Sequence, residues 1–402
     1  MGLPSGRMVE VRTLSSRIVE ELRSGRAYHY FRGRSALFAL LKALDVGPDD
    51  DVIIQGFTCL SVPLPILARG ARPVYVDISP RSYCMAPDEL ARRVTPQTKA
   101  IVVQHTFGIP ADMPEIVRIA EAHGIPIVED CCHSVGTTHS GQEVGTFGTA
   151  AFFSYEWGKP LVIGLGGSAI AWDEGLREAL KAGHPALPRP SRLKTAQIEV
   201  QYLAFRLLLT PSTYWPIRHW YHRLSSTALI AGTFESAELA GNRTAEHETA
   251  MAGVLERRLR RVLRRTAARI IAMRQAKAER YGEVLAASGL PCVIPAECTH
   301  PVYLRLPLLF ENKERVMAAA RRARIELSDI FASPVHPFTE EKWPLVGYER
   351  GMCPMAEEVS RRVVSLPIHS RVREHHMIAA VELLSRIGEP TDVEDLQRTA
   401  RR

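Results

Sequence analysis

The chain has 402 residues, 46% apolar and 24% charged, with a formal net charge of +7. That length supports a large core split into two lobes, and the composition excludes a disordered, collagenous or disulfide-stapled chain. Seven cysteines (Cys59, Cys84, Cys131, Cys132, Cys292, Cys298 and Cys353) form no CxxC pair, which argues against a zinc knuckle and fits a reducing cytoplasm. The first residues, MGLPSGRMVEVRTLSS, contain no apolar h-region, so no signal peptide is expected. No apolar run is long enough to span a bilayer.

In chain order, FRGRSALFALLKAL places Gly33, Arg34 and Ser35 at the start of an apolar-periodic helix. Short β-branched runs follow (DVIIQG, PVYVDI, AIVVQH, IPIVED, AAFFSY, SAIAW), alternating with helical stretches such as DELARRV and MPEIVRIAEAH. This alternation predicts an α/β fold, a mainly parallel sheet between two helical layers. Ligands of such sheets gather beyond the carboxyl ends of the strands.

From about 181 to 242 the pattern changes. YLAFRLLLTPSTYWPIRHWYHRLSS is aromatic, basic and broken by Pro211 and Pro216. It reads as a helical excursion packed on the body or on a dimer mate, in preference to a membrane-surface patch. Arg257 to Arg280 then holds ten Lys or Arg and one acid, with apolar residues at near-helical spacing. That predicts one amphipathic helix with a basic, solvated outer face. Attraction of an anionic substrate or membrane surface is the sharper alternative. Nucleic acid is disfavoured, because no recognised module accompanies the charge. VYLRLPLLF reads as a strand, KERVMAAARRARI and REHHMIAAVELLSRI as helices. The domain reading is an arm over 1–30, a large domain over 31–245 that includes the excursion, and a smaller C-terminal α+β domain over 246–402.

The strand ends hold the candidate chemistry. A glycine and a hydroxyl residue opening a helix make an anion site, although a serine there is often only a cap. IPIVED ends in Glu129 and Asp130, with His133 three residues beyond. The Cys131-Cys132 doublet has no second ligand cluster at a useful spacing, so both read as small buried fillers and no metal is expected. In AAFFSYEWGKPLVIGLGGSA, Ser154 closes a strand and Lys159 lies in the following loop, ahead of Gly164, Gly166 and Gly167. A lysine alone would snorkel to solvent. A phosphate site, a carboxylate and a lysine together are what pyridoxal phosphate requires, for anchoring, for ring protonation and for a Schiff base.

At these residues the chain resembles the DegT/DnrJ/EryC1/StrS family of sugar aminotransferases, within the fold-type I pyridoxal phosphate enzymes. GRSAL stands where the family has G-T-[SA]-A-L, and FFSYEWGKPLVIGLGG resembles its F-S-F-x-x-x-K-x-[IL]-x-x-G-x-G-G. VIIQGFTC, TPQTKAIVVQHTFGIPADM, HGIPIVEDCCHSVG and VVSLPIHSRV follow in family order. The resemblance covers Gly33 to Trp172 and, more loosely, Pro301 to Ile387.

It implies that Lys159 is the Schiff-base lysine and proton shuttle and that Asp130 pairs with the pyridinium nitrogen. Ser154 would bind the phosphate through its hydroxyl, Arg34 and Ser35 through backbone N–H groups. Related sugar dehydratases carry histidine in place of the lysine, so their chemistry is disfavoured here. His133 stands where the family usually has a glutamine near the phenolic oxygen, and Cys59 where an aromatic residue often stacks on the ring. The G-x-N-x-R-M loop that reaches the neighbouring subunit's phosphate is not recognisable; only Met251 matches its end, with Asn242 and Arg243 nearby. The implied reaction moves an amino group from an amino acid, expected to be glutamate, to a keto-sugar linked to a nucleotide, in a homodimer. The alternatives are another ketone acceptor, such as a cyclitol or antibiotic precursor, or a non-catalytic regulator on the same fold.

Overall fold

The computed structural model describes residues 16–225, 232, 234, 237–240, 244–291, 298 and 301–400. Asn242, Arg243 and Cys292 lie outside these residues. Seven strands form the central sheet: β1 (Tyr28–Tyr30), β2 (Asp51–Gln55), β3 (Arg72–Val76), β4 (Thr98–Gln104), β5 (Ile127–Asp130), β6 (Ala150–Ser154) and β7 (Gly167–Ala171). Their order is β1-β7-β6-β5-β4-β2-β3. The strands from β6 to β3 in that order are mutually parallel, and β7 and β1 are added antiparallel. All six predicted strands of the first half are present, and β1, a three-residue YHY without readable periodicity, joins them.

Alternation along the strands sends Ala150 and Phe152 to one layer and Ala151 and Phe153 to the other, as a period of two requires. α2 (Gly33–Ala43) and α6 (Glu174–Gly183) cover the first face. The other is covered by α1 (Arg17–Ser24), α4 (Pro87–Arg93), α5 (Met113–Ala122) and α9 (Gly253–Arg265). α3 (Pro63–Ala68) packs beside α2. Register brings Gln104 beside Asp130, Asp130 beside Phe152, and Ser154 opposite Gly167. The polar ends of four strands therefore form one rim.

The excursion folds as α7 (Arg192–Leu208) and α8 (Tyr214–Ser225). Pro211 lies in the break, and Pro216 falls in the first turn of α8, where its missing N–H costs little. The predicted long basic helix is two helices, α9 and α10 (Ala267–Ala287), separated at Thr266. The Thr266 hydroxyl donates to the Val262 carbonyl at 3.1 Å and its backbone leaves helical values, which redirects the chain.

The C-terminal lobe pairs β8 (Arg305–Leu309) antiparallel with β9 (Val363–Pro367), under α11 (Lys313–Ala323) and α13 (Glu374–Ile387). It is tied to the large sheet in three places. Thr58 and Cys59 pair in parallel with Val335 and His336. The Tyr75 hydroxyl donates to the Val346 carbonyl at 2.8 Å. The Asp77 carboxylate accepts the Met355 and Ala356 N–H groups at the start of α12 (Pro354–Arg362), a favourable place for an anion.

β1 also carries a buried titratable group. His29 Nδ1 lies 2.7 Å from the Ser168 hydroxyl, and burial with His184 nearby pushes its pKa down to about 4. The unfolded chain therefore binds a proton near pH 6.5 that the folded chain takes up only near pH 4. Stability should fall as pH drops through that window, by about 3 kcal/mol from this group. Thermal melts from pH 7 to pH 4 should show a smaller loss in His29→Asn than in the wild type.

Candidate active site

Lys159 lies in the loop joining β6 to β7. Tyr155 N–H donates to the Gly166 carbonyl (2.9 Å) and Ile163 N–H to the Tyr155 carbonyl (3.1 Å), closing that loop at its base. The half-buried Lys159 turns back over the strand ends, and its Nζ sits 3.0 Å from His133 Nε2. His133 Nδ1 accepts the Phe107 N–H at 3.3 Å. Burial pushes the imidazole pKa well down, with Lys159 and His105 adding to it, so the ring is neutral. With Nδ1 accepting, its single proton is assigned to Nε2, on the side facing Lys159.

Asp130, at the end of β5, is buried, and its Oδ1 accepts the Cys132 N–H at 3.0 Å. Burial raises its pKa, opposed by the hydrogen bond from Cys132 and by the charge of Lys159. Among the described residues no cation forms a salt bridge with it. A buried carboxylate without an ion-pair partner is costly, and a cationic ring nitrogen would complete it.

Ser154 ends β6 against the start of α2. A Cβ on Gly33 would lie 2.9 Å from Ser154 Cβ, and one on Gly167 would lie 2.4 Å from the Arg32 carbonyl oxygen. Only glycine permits that approach. It brings the Ser154 side chain against the helix N-terminus, where no side chain of Arg32 caps the first turn and N–H groups point outward. A phosphate group fits this cup, formed by Ser154 and the first turn of α2.

The side-chain charge of Arg34 is used elsewhere. Its buried guanidinium pairs with Glu238 at 2.6 Å and Glu246 at 3.2 Å, while Arg32 pairs with Glu246 at 2.5 Å and Glu156 at 3.2 Å. Ser35 donates its hydroxyl to the Glu246 carbonyl at 2.6 Å, which leaves the backbone as its route to an anion. Cys59 is half-buried, its Sγ 3.3 Å from the Ser61 hydroxyl. Met251 is buried in the core on one face of the sheet, its methyl beside Gly166.

Two features escape the sequence. Phe57, Tyr83, Phe107 and Phe331 form one ring cluster with centroids 5.1–6.2 Å apart, and all four have φ between 58° and 65°. Left-handed backbone at bulky residues stores roughly 1–3 kcal/mol each and marks functional loops. Phe331, from the C-terminal lobe, also packs 5.9 Å from the His133 ring. The second feature is His105, whose Nε2 lies 3.1 Å from Glu129. Glu129 accepts three further N–H bonds, from Gly145, Phe147 and Gly148. His105, Glu129 and Cys131 lie close enough to suggest a metal site. The carboxylate is already saturated by backbone donors, so the group acts as a buttress behind Asp130.

The chain is similar to known proteins over most of its length. The DegT/DnrJ/EryC1/StrS aminotransferase family profile matches residues 10–189 and 248–385. A UDP-N-acetyl-3-dehydro-alpha-D-glucosamine 3-aminotransferase of Acidithiobacillus ferrooxidans is 40% identical over 150 residues, 37% of this chain and 41% of that protein. An L-glutamine:2-deoxy-scyllo-inosose aminotransferase of Streptomyces kanamyceticus is 38% identical over 149 residues, 37% of this chain and 35% of that one. The matched stretch therefore spans well under half the length of these two relatives. The crystal structure of S. venezuelae DesV in complex with a ketimine intermediate superposes with a TM-score of 0.66 at 25% identity, covering 93% of this chain and 90% of DesV. The fold is that of the fold-type I aminotransferases, and the chain belongs to the DegT/DnrJ/EryC1/StrS aminotransferase family.

Proposed function

We propose that this protein is a pyridoxal phosphate-dependent aminotransferase that moves an amino group from an amino acid, L-glutamate, to a nucleotide-linked keto-sugar. The observation that carries the reading is Lys159 Nζ beside neutral His133, together with the buried, unpaired Asp130 and the cup at Ser154. Bound there, pyridoxal phosphate supplies an aldehyde that captures the donor amine and a ring that takes up the electron pair freed at the donor carbon.

The chain's own residues do the rest. Ser154 and the first turn of α2, through the Arg34 and Ser35 N–H groups, hold the phosphate. Asp130 keeps the ring nitrogen protonated, and His133 Nε2–H donates to the phenolic oxygen. Half-buried Cys59 would contact the ring. Lys159 would anchor the cofactor covalently and, once the donor amine has displaced it, would carry the proton from the donor carbon to the carbon on the other side of the transferred nitrogen. The same parts act in reverse on the acceptor. The similarity to a scyllo-inosose aminotransferase supports a second acceptor class, a cyclitol, on the same machinery. A homodimer in the cytoplasm completes the proposal.

The test is spectroscopic. Protein loaded with pyridoxal phosphate should lose its long-wavelength band on addition of L-glutamate or L-glutamine, and a UDP-linked 3-keto-sugar or scyllo-inosose should restore it. A band that persists through all amino donors would make the protein a non-catalytic relative.

A further inference from the structure

Seven large apolar side chains are exposed among the described residues; six lie on α7 and α8, and the other is Leu345. On α7, Leu193, Val200, Leu203, Leu207 and Leu208 are between 59% and 82% exposed, and Trp220 of α8 is 57% exposed. With Ala196 and Ala204 they recur every three or four residues and occupy an arc of roughly 140° along the helix, interrupted only by Gln197 near one edge. The opposite face is apolar too. Ile198 packs over Gly164, Phe205 meets Trp157 at 5.4 Å, and Tyr202 lies under Arg258 at 3.9 Å. A helix apolar on both faces belongs inside something. The protein body covers only one of those faces.

We propose that the outer face of α7, with the Trp220 end of α8, docks on an anionic lipid bilayer. Charge identifies the occupant. Residues 192–225 hold five Lys or Arg and one acid, Glu199. That acid is already paired with Arg258. On the helix wheel Arg192 borders the apolar arc, and Arg206 lies on the same side, nearer Tyr202. Arg258 reaches α7 from α9, and Arg261 and Arg265 continue its row by one and two turns, both exposed. The result is an exposed apolar strip on α7 with cations beside it and a further exposed tryptophan on α8, the make-up of helices lying in a lipid headgroup layer.

A second copy of the chain fits less well. An antiparallel self-contact centred on Val200 sets Arg192 of each copy near Arg206 of the other, and the one acid in the strip is spent on Arg258. Like charges would meet at both ends of such a contact. Among the described residues no helix is long and apolar enough to cross a membrane, and the proposed contact is peripheral.

The full-length protein should sediment with vesicles of phosphatidylcholine plus phosphatidylglycerol, and not with phosphatidylcholine alone. Binding should weaken as salt is raised, and Trp220 emission should shift to the blue. The pair Val200→Glu and Leu203→Glu, at exposed positions, should lower bound protein at least tenfold with an unchanged thermal melt. Arg261→Gln and Arg265→Gln should each cost about fivefold, and only on the anionic vesicles. Equal binding to both vesicle types, or binding indifferent to the paired glutamates, overturns the proposal. So does concentration-dependent self-association that the paired glutamates abolish while vesicles capture nothing, which would assign the face to a second copy.

Discussion

Lys159→Ala should lower amino transfer by about a thousandfold or more, the scale of losing a positioned proton-transfer group together with a nucleophile. The structure indicates why no neighbour would substitute. Around Nζ the nearest basic group is His133, whose burial holds it neutral and whose Nδ1 is committed to the Phe107 N–H. Lys159→Arg should fail to the same degree, since a guanidinium keeps the charge but is not a nucleophile at neutral pH. Neither change should unfold the loop. Its base is held by backbone bonds at Tyr155, Ile163 and Gly166, and Lys159 contributes only its own N–H to the Glu156 carbonyl. Both variants should still bind the cofactor's phosphate, yet show no long-wavelength band and no release of product in a single turnover. Wild-type turnover in Lys159→Ala would refute the assignment.

Asp130→Asn should separate catalysis from stability. Asparagine keeps an oxygen for the Cys132 N–H and removes the charge, so the ring nitrogen loses the group that favours its protonation. The loss in kcat should be roughly 10²- to 10³-fold, the range for removing one preorganised electrostatic partner. Stability of the cofactor-free protein should move the other way. Burial raises the carboxyl pKa of Asp130 in the fold, so between its ordinary value and the raised one the folded state holds more protons than the unfolded state. Stability therefore falls as pH rises through that interval, and the buried carboxyl is a net cost above its ordinary range. Asp130→Asn should melt higher than the wild type without cofactor, by about 1 kcal/mol. A variant equally stable and equally active would show that Asp130 does not meet the ring.

Much of this was legible from residues alone, for identifiable reasons. The parallel strands announce themselves as short β-branched runs, Asp130 and Ser154 close two of them and Lys159 lies in the loop after the second, so topology brings them to one rim. Arg34 shows where reading stops. Its place at a helix start is visible, but Glu238 and Glu246, which take its side chain, lie more than 200 positions away. The break at Thr266 is equally hidden, because the apolar spacing continues across it and one hydroxyl bond decides it. The left-handed backbone of Phe57, Tyr83, Phe107 and Phe331 leaves no trace either, since nothing in an aromatic residue type favours positive φ. His105 and Glu129 were visible as residues, but their joint role depends on N–H groups of a loop some sixteen to nineteen positions on.

The ties between the two lobes set the timing of assembly. Tyr75 meets Val346 across 271 residues, and the wall beside His133 is finished by Phe331. As the chain leaves the ribosome, Asp130, Ser154 and Lys159 emerge long before that wall exists. Contacts so distant in sequence form late and slowly. A nascent chain would thus present its reactive amine on an open sheet, and the pocket would close only once the last quarter of the polypeptide had returned to it.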